Sequence, residues 1–354
     1  MEVHHQYRPE HDVFARRQWA KLILAGTLGV LCGPTSVSAQ SDKARLVLAM
    51  DDLSSLVHLP VLLALQLGYF KAEGLLVDIV EQPLTMFATT ASAGMVAWSL
   101  PFTQTLHGGR RDDAWRSVMQ TGRTPQLALG VSKKTLPGFK NLKDFEGYRI
   151  GVHELDSFAH RCVDFMLLQA GVNQQRVSFV PLGSSLNAIQ AIKNGFVDAL
   201  CASDPLMTVL DKRGEINIVR NLRSVRESTR VFSGMLPGNC VCVPAALLTK
   251  DPKSCQSLVN GVARALKWLR TAGPSDLLHT MTDSVFMPDR AIYLNAIDNL
   301  RDSFSIDGIL SQEAYANAVR VHNVWEPAST SDRNASAVTY TNEFMLQAKK
   351  RFKI

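Results

Sequence analysis

No stretch of this 354-residue sequence that could follow its first forty residues is long and uncharged enough to cross a membrane. A spanning helix needs about twenty consecutive apolar residues. Cysteine is sparse, six in all, and no CxxC pair or Cys/His grouping at metal-ligand spacing occurs. A zinc module is therefore excluded, and no cofactor or metal is implied. Charge of one sign is not concentrated either. The net charge of +6 is spread along the chain, and its one tight basic cluster, Lys349-Lys350-Arg351, reads as a solvated end rather than a nucleic-acid patch. There is no internal repeat and no low-complexity linker. What is present is ordinary globular composition, 46% apolar and 20% charged, in a chain long enough for two lobes.

The first forty residues have a different grammar. Arg16, Arg17 and Lys21 precede an apolar run over residues 22–32, and small residues then lead to Val37-Ser38-Ala39. A basic start, a short apolar core and an Ala-x-Ala-like site make a secretory signal peptide, with the mature chain beginning near Gln40 and destined for the periplasm. The run of eleven residues is too short to span a bilayer. Arg16-Arg17-Gln18-Trp19 also resembles a twin-arginine signal, so the Sec and twin-arginine routes both stay open. Leu31 before Cys32 is too large for a lipobox. Removing the leader leaves Cys162, Cys201, Cys240, Cys242 and Cys255, an odd set best read as buried free thiols.

Beyond residue 44 the chain alternates β-branched runs with helical patterns, which predicts α/β layers around mainly parallel sheet. Strands are expected at 45–50, 76–80, up to Trp98, 126–132, up to Val152, 177–181 and 197–202. A helix beginning at Pro60 is expected to turn Val61, Leu62, Leu65 and Tyr69 inward and to end at Gly74. The chain crosses back near 231–243 and is then largely helical, with Leu258, Val262, Leu266 and Leu269 on one face. Two crossings give a signal peptide (1–39), a discontinuous first lobe (40–128 and 238–354) and a continuous second lobe (129–237).

Three segments then carry a resemblance. Residues 67–75 (LGYFKAEGL), 142–152 (LKDFEGYRIGV) and 191–199 (AIKNGFVDA) with Asp204-Pro205 are similar, in order and spacing, to motifs of the nitrate/sulfonate/taurine solute-binding family, also grouped with NMT1-like proteins. They cover roughly residues 45 to 245. Each motif is also explained as scaffold: a helix end, a buried strand, a helix-to-strand turn. The resemblance implies a two-lobed, type II periplasmic-binding-protein fold with a ligand cleft between the lobes. It departs from the family at residues 94–102, where an acidic position is replaced by a stretch holding Trp98 and Phe102; that aromatic pair suggests a ligand other than a simple oxyanion.

In open α/β sheets ligands bind beyond the carboxyl ends of strands, against helix N-termini. The post-strand turns are therefore the candidate ligand contacts. In the first lobe these are Asp52, Ser54, Ser55 and His58, with Trp98 and Ser99. In the second they are His153, Glu154 and Ser157, Ser184 and Ser185, and Asp204. Serine and aspartate before helices are also ordinary N-caps, so each has a bland reading beside the functional one. Acidic members facing the cleft would favour an amine or a heterocyclic N–H, as in taurine-like zwitterions or pyrimidine-like rings. The expected protein is a monomeric receptor that passes a small solute to an ABC permease by lobe closure, not an enzyme. Its rivals are an enzyme on the same fold, for which Cys162 or Cys201 would have to meet His153 or His160, and a sensor for a membrane receptor.

Overall fold

Ten strands fall into two five-stranded sheets in this computed structural model, which describes residues 44–90, 96–106, 115–280, 289–326 and 338–354. The leader, with its arginine pair and Cys32, lies outside the described residues, as do Gly94 and Met95.

The first sheet begins with β1 (Ala44–Met50), β2 (Leu75–Glu81) and β3 (Val96–Pro101), with β1 pairing parallel to both of the others. Next come β4 (Trp115–Gln120) and, over a hundred residues later, β10 (Asn239–Pro244). β10 runs antiparallel between β3 and β4, giving the order β2-β1-β3-β10-β4. The second sheet uses β5 (Leu127–Ser132), β6 (Arg149–Val152), β7 (Ser178–Pro181), β8 (Ala199–Ser203) and β9 (Ile216–Asn221) in the order β7-β6-β8-β5-β9. Here β6 lies parallel to β7 and β8, and β5 is the antiparallel insert. Each sheet thus holds four strands of one direction and one of the opposite direction next to a chain crossing. This is the periplasmic-binding-protein architecture. The crossings fall between β4 and β5 and between β9 and β10, so Leu127 and Ala128, expected in the first lobe, pair in the second sheet with Ser203 and Ala202.

Strands β5 and β10 are buried at every position because helices cover both faces, which is why they read as unbroken apolar runs. The helix Pro252–Leu269 packs on the first sheet's side, held at its start by Asp251 accepting from the Ser254 amide at 3.0 Å. Leu258, Val262, Leu266 and Leu269 are all buried on it, as their spacing predicts. Burying each contributes about 1.5–3 kcal/mol. A side chain at Gly261 would sit 2.5 Å from the Phe70 ring, so glycine is what lets the Tyr69–Ala72 turn approach this helix.

One expected face is corrected. The helix Leu59–Gln66 buries Leu59, Val61, Leu63 and Ala64, while Leu65 points out at 37% exposure. Its apolar residues run all the way round, so spacing alone could not choose the inward side. It also stops at Gln66, and Tyr69 belongs to a separate short turn that Gly74 follows.

The second and third motifs interlock. Arg149 of β6 and Asp198 before β8 form a salt bridge, Nε to Oδ2 at 3.1 Å, and the Arg149 amide donates to the same oxygen at 3.0 Å. Burial alone would raise the Asp198 carboxyl, but the bonds and charge of Arg149 hold it below the usual carboxylate range. Gly195, at φ +74°, caps the helix Ser185–Asn194 and turns the chain into this pair.

Candidate functional site

The two lobes meet at four strand ends. The turn after β1 brings Asp51, Asp52, Ser54 and Ser55. The turn after β6 brings His153, Glu154 and Ser157, and the ends of β7 and β8 bring Ser184, Ser185, Ser203 and Asp204. Between them lies a cavity of about 100 Å³, which becomes about 900 Å³ of space once its open mouth is counted. Its wall is completed by apolar side chains, Leu127, Phe158, Leu182, Leu200 and Leu206 among them.

Direct bonds join the lobes at the floor. The Leu56 amide donates to the Asp204 carbonyl at 2.8 Å, and the Ser55 and Ser203 hydroxyls are 2.7 Å apart. The Ser54 hydroxyl donates to the Asp52 carboxylate and lies 3.4 Å from the Ser185 hydroxyl. The strands deliver these groups to one place because each ends at the cleft, and the next helix begins there.

Nine of the twelve candidate residues line this cavity: Asp52, Ser54 and Ser55 from the first lobe, and His153, Glu154, Ser157, Ser184, Ser185 and Asp204 from the second. The remaining three stand behind the wall. His58 and Ser99 are fully buried. The His58 ring has Ser99 Oγ at 2.8 Å and the Asn239 amide at 3.2 Å on Nδ1, so Nε2 carries the proton it gives to Asp51 at 3.0 Å. Trp98 is buried too, edge-on to Phe87 with its indole N–H donated to Thr90. Phe102 is only 1% exposed. The aromatic pair expected to shape the ligand is core, so the cleft's preference has to rest on other residues.

The nine are not equally available. Ser157 and Ser184 serve as N-caps, accepting from the His160 and Asn187 amides. Asp204 is spent: its Oδ1 accepts from the Thr208 amide and hydroxyl at 2.9 and 2.7 Å, and its Oδ2 pairs with Arg223 at 2.8 Å. Both partners are buried. Asn299, from the first lobe's helix Arg290–Leu300, adds a bond to Thr208 at 2.9 Å. Asp52 has one oxygen engaged by the Ser54 amide at 2.8 Å and the Ser54 hydroxyl. Glu154 and His153 project into the cavity from the turn after β6, where among the described residues neither side chain is drawn into a cap or a salt bridge. Asp51 is held below the usual carboxylate range: burial pushes it up, but the His58 bond and the His58 and His153 rings outweigh it.

Position after a strand did not pick out Asn239 or Cys201, which also line the cavity. Asn239 had a signal, a lone amide opening the apolar strand β10. Cys201 is inside β8, and burial pushes its thiol up to about 12. Cys162 is likewise buried and pushed well above the ordinary thiol range. His160 has Asp156, Asp164 and the Phe179 ring around it. All five cysteines among the described residues are free and buried. Among the described residues no helix is long and apolar enough to cross a membrane.

The NMT1/THI5-like family model matches residues 55–272, well over half of the chain and both sides of the cleft. No curated protein matches the sequence. Among solved structures, a protein from Bordetella bronchiseptica is 28% identical, with a TM-score of 0.79 over 88% of this chain and 99% of that one. The alkanesulfonate-binding protein of Xanthomonas axonopodis pv. citri, solved bound to MOPS, is 16% identical with a TM-score of 0.62 over 86% and 97%. The periplasmic nitrate-binding protein of Synechocystis is 11% identical with a TM-score of 0.64 over 88% and 89%. At such identities the last two likenesses speak for the fold alone.

Proposed function

Because the chain belongs to the NMT1/THI5-like family, we propose that it is the exported solute-binding protein of an ABC importer. It captures one small solute between its lobes, closes on it and presents the closed form to a membrane permease. The basic, apolar and small-residue segments of residues 16–39 support secretion to the periplasm. The observation that carries the reading is the cavity itself: a space walled by both lobes at their post-strand turns, whose floor is crossed by few direct bonds. Parting those bonds opens the cleft without disturbing either sheet.

The rival with a specific observation behind it is an enzyme, since Cys201 lies in the cavity wall. A nucleophilic thiol needs an accessible, electropositive setting that lowers its pKa. Cys201 has the opposite setting, a buried position that pushes the thiol up to about 12. That favours the receptor.

The test is native mass spectrometry of the purified protein for a small molecule carried through purification, followed by prolonged incubation with it. A receptor returns the solute unchanged and becomes more compact in small-angle scattering when it is bound. Steady conversion of the solute overturns the reading in favour of an enzyme.

A further inference from the structure

We infer that the solute carries a protonated amine, which the cleft receives at Glu154 and Asp52; this rests on the receptor reading above. The first observation is compositional: among the described residues no lysine or arginine lines the cavity, whereas Asp51, Asp52, Glu154 and Asp204 do. A site for a bare oxyanion is expected to place at least one guanidinium or ammonium on it.

The charges can be followed one by one. Asp204 is cancelled by Arg223 at 2.8 Å, and Asp51 is engaged by His58 at 3.0 Å. Among the described residues that leaves Asp52 and Glu154 without a lysine or arginine partner in the wall. Opposing them are the helices Phe158–Gln169 and Ser185–Asn194, whose N-termini face the cleft. Each such terminus is worth about half a positive charge, and both here already have one amide capped by serine. These are partial charges already partly used, whereas Asp52 and Glu154 are full ones, so the two carboxyl groups are the direct partners the wall can offer an ammonium. The apolar wall from Phe158, Leu182 and Leu206 gives the rest of the solute a surface to pack on. The low-dielectric wall strengthens the carboxylate–ammonium contact in the closed form.

The amine sits against the turn after β6, with the hydroxyls of Ser185 and Ser203 as further acceptors on the second-lobe side. A zwitterion satisfies the same chemistry, its anionic end turned to the helix N-termini.

The experiment is thermal shift and calorimetry on the full mature protein with probes that share one body: benzylamine, phenylmethanesulfonate and, as a compact zwitterion, taurine. Saturable binding of benzylamine or taurine, at least tenfold tighter than phenylmethanesulfonate, is the expected result. Glu154→Gln is expected to weaken that binding about tenfold and Asp52→Asn by less, with Asp211→Asn on an exposed helix end unchanged. Tighter binding of the sulfonate, no binding of either amine at millimolar concentration, or an unaltered affinity in Glu154→Gln each overturns the inference. Its failure is separable from failure of the receptor reading: a copurified anion returned unchanged removes the amine and keeps the receptor, whereas an amine that is consumed does the reverse.

Discussion

The two walls of the cleft are made of the same residue types at the same kind of position, yet they are in different chemical states. The first-lobe wall is largely self-satisfied. Asp52 holds Ser54, Asp51 holds His58, and His58 is held in turn by Ser99 and Asn239. The second-lobe wall divides: Asp204, Ser157 and Ser184 are committed to structure, while Glu154 and His153 face the cavity. A polar group bound on all sides is rigid and costs much to lose, whereas one facing a cleft is available to a solute. The division between committed and available groups, rather than residue type, separates scaffold from contact.

The sharpest way to break this comparison is at the most committed pair. Arg223→Ala leaves the Asp204 carboxylate buried without its cationic partner, and breaking such a pair costs about 3–5 kcal/mol. Urea unfolding reads it, and a loss below about 1 kcal/mol would mean that Asp204 is solvated and open to the cleft after all.

A smaller effect is expected from acid. The Asp51 carboxyl is held below its unfolded value of about 4, so the folded state binds fewer protons than the unfolded one. The stability it adds is therefore complete above that value and is lost as pH falls through the folded one. Asp51→Asn should flatten the stability profile below about pH 4. An unchanged acid limb would remove Asp51 from the committed set.

Next in size are the caps. Ser184→Ala removes the acceptor for the Asn187 amide and should cost about 1 kcal/mol, with Ser157→Ala similar. If either variant loses solute affinity without losing stability, its hydroxyl belongs with the available groups.

The same division explains how far the sequence could be read. β5 is legible because burial on both faces writes itself as an apolar run, and β1 because most of its positions are buried. β4 (Trp115–Gln120) and β9 (Ile216–Asn221) were not recognised: their mixed composition carries no clear period, and each takes strand form by pairing along β10 and β5. The turns after strands located nine of the twelve candidate residues at the cavity, since topology alone puts them there. Depth and commitment were hidden because they are set by distant residues. The partner of Asp204 is Arg223, 19 residues on; His58 meets Ser99 and Asn239 across 41 and 181 residues. No local pattern encodes those meetings.

The smallest expected change in stability falls at the most available group. Glu154 leaves its turn without entering a cap or an ion pair among the described residues, and its side chain is half-buried at the cavity. Removing its charge therefore takes nothing from the fold, and Glu154→Gln should unfold within about 0.5 kcal/mol of the parent. If the comparison between the walls is right, stability and binding respond in opposite senses along it. Arg223→Ala loses the fold and, once refolded conditions are found, keeps its solute preference, while Glu154→Gln keeps the fold and loses affinity. A Glu154→Gln protein that melted several degrees lower would place Glu154 in the scaffold, and the second-lobe wall would then be as self-satisfied as the first.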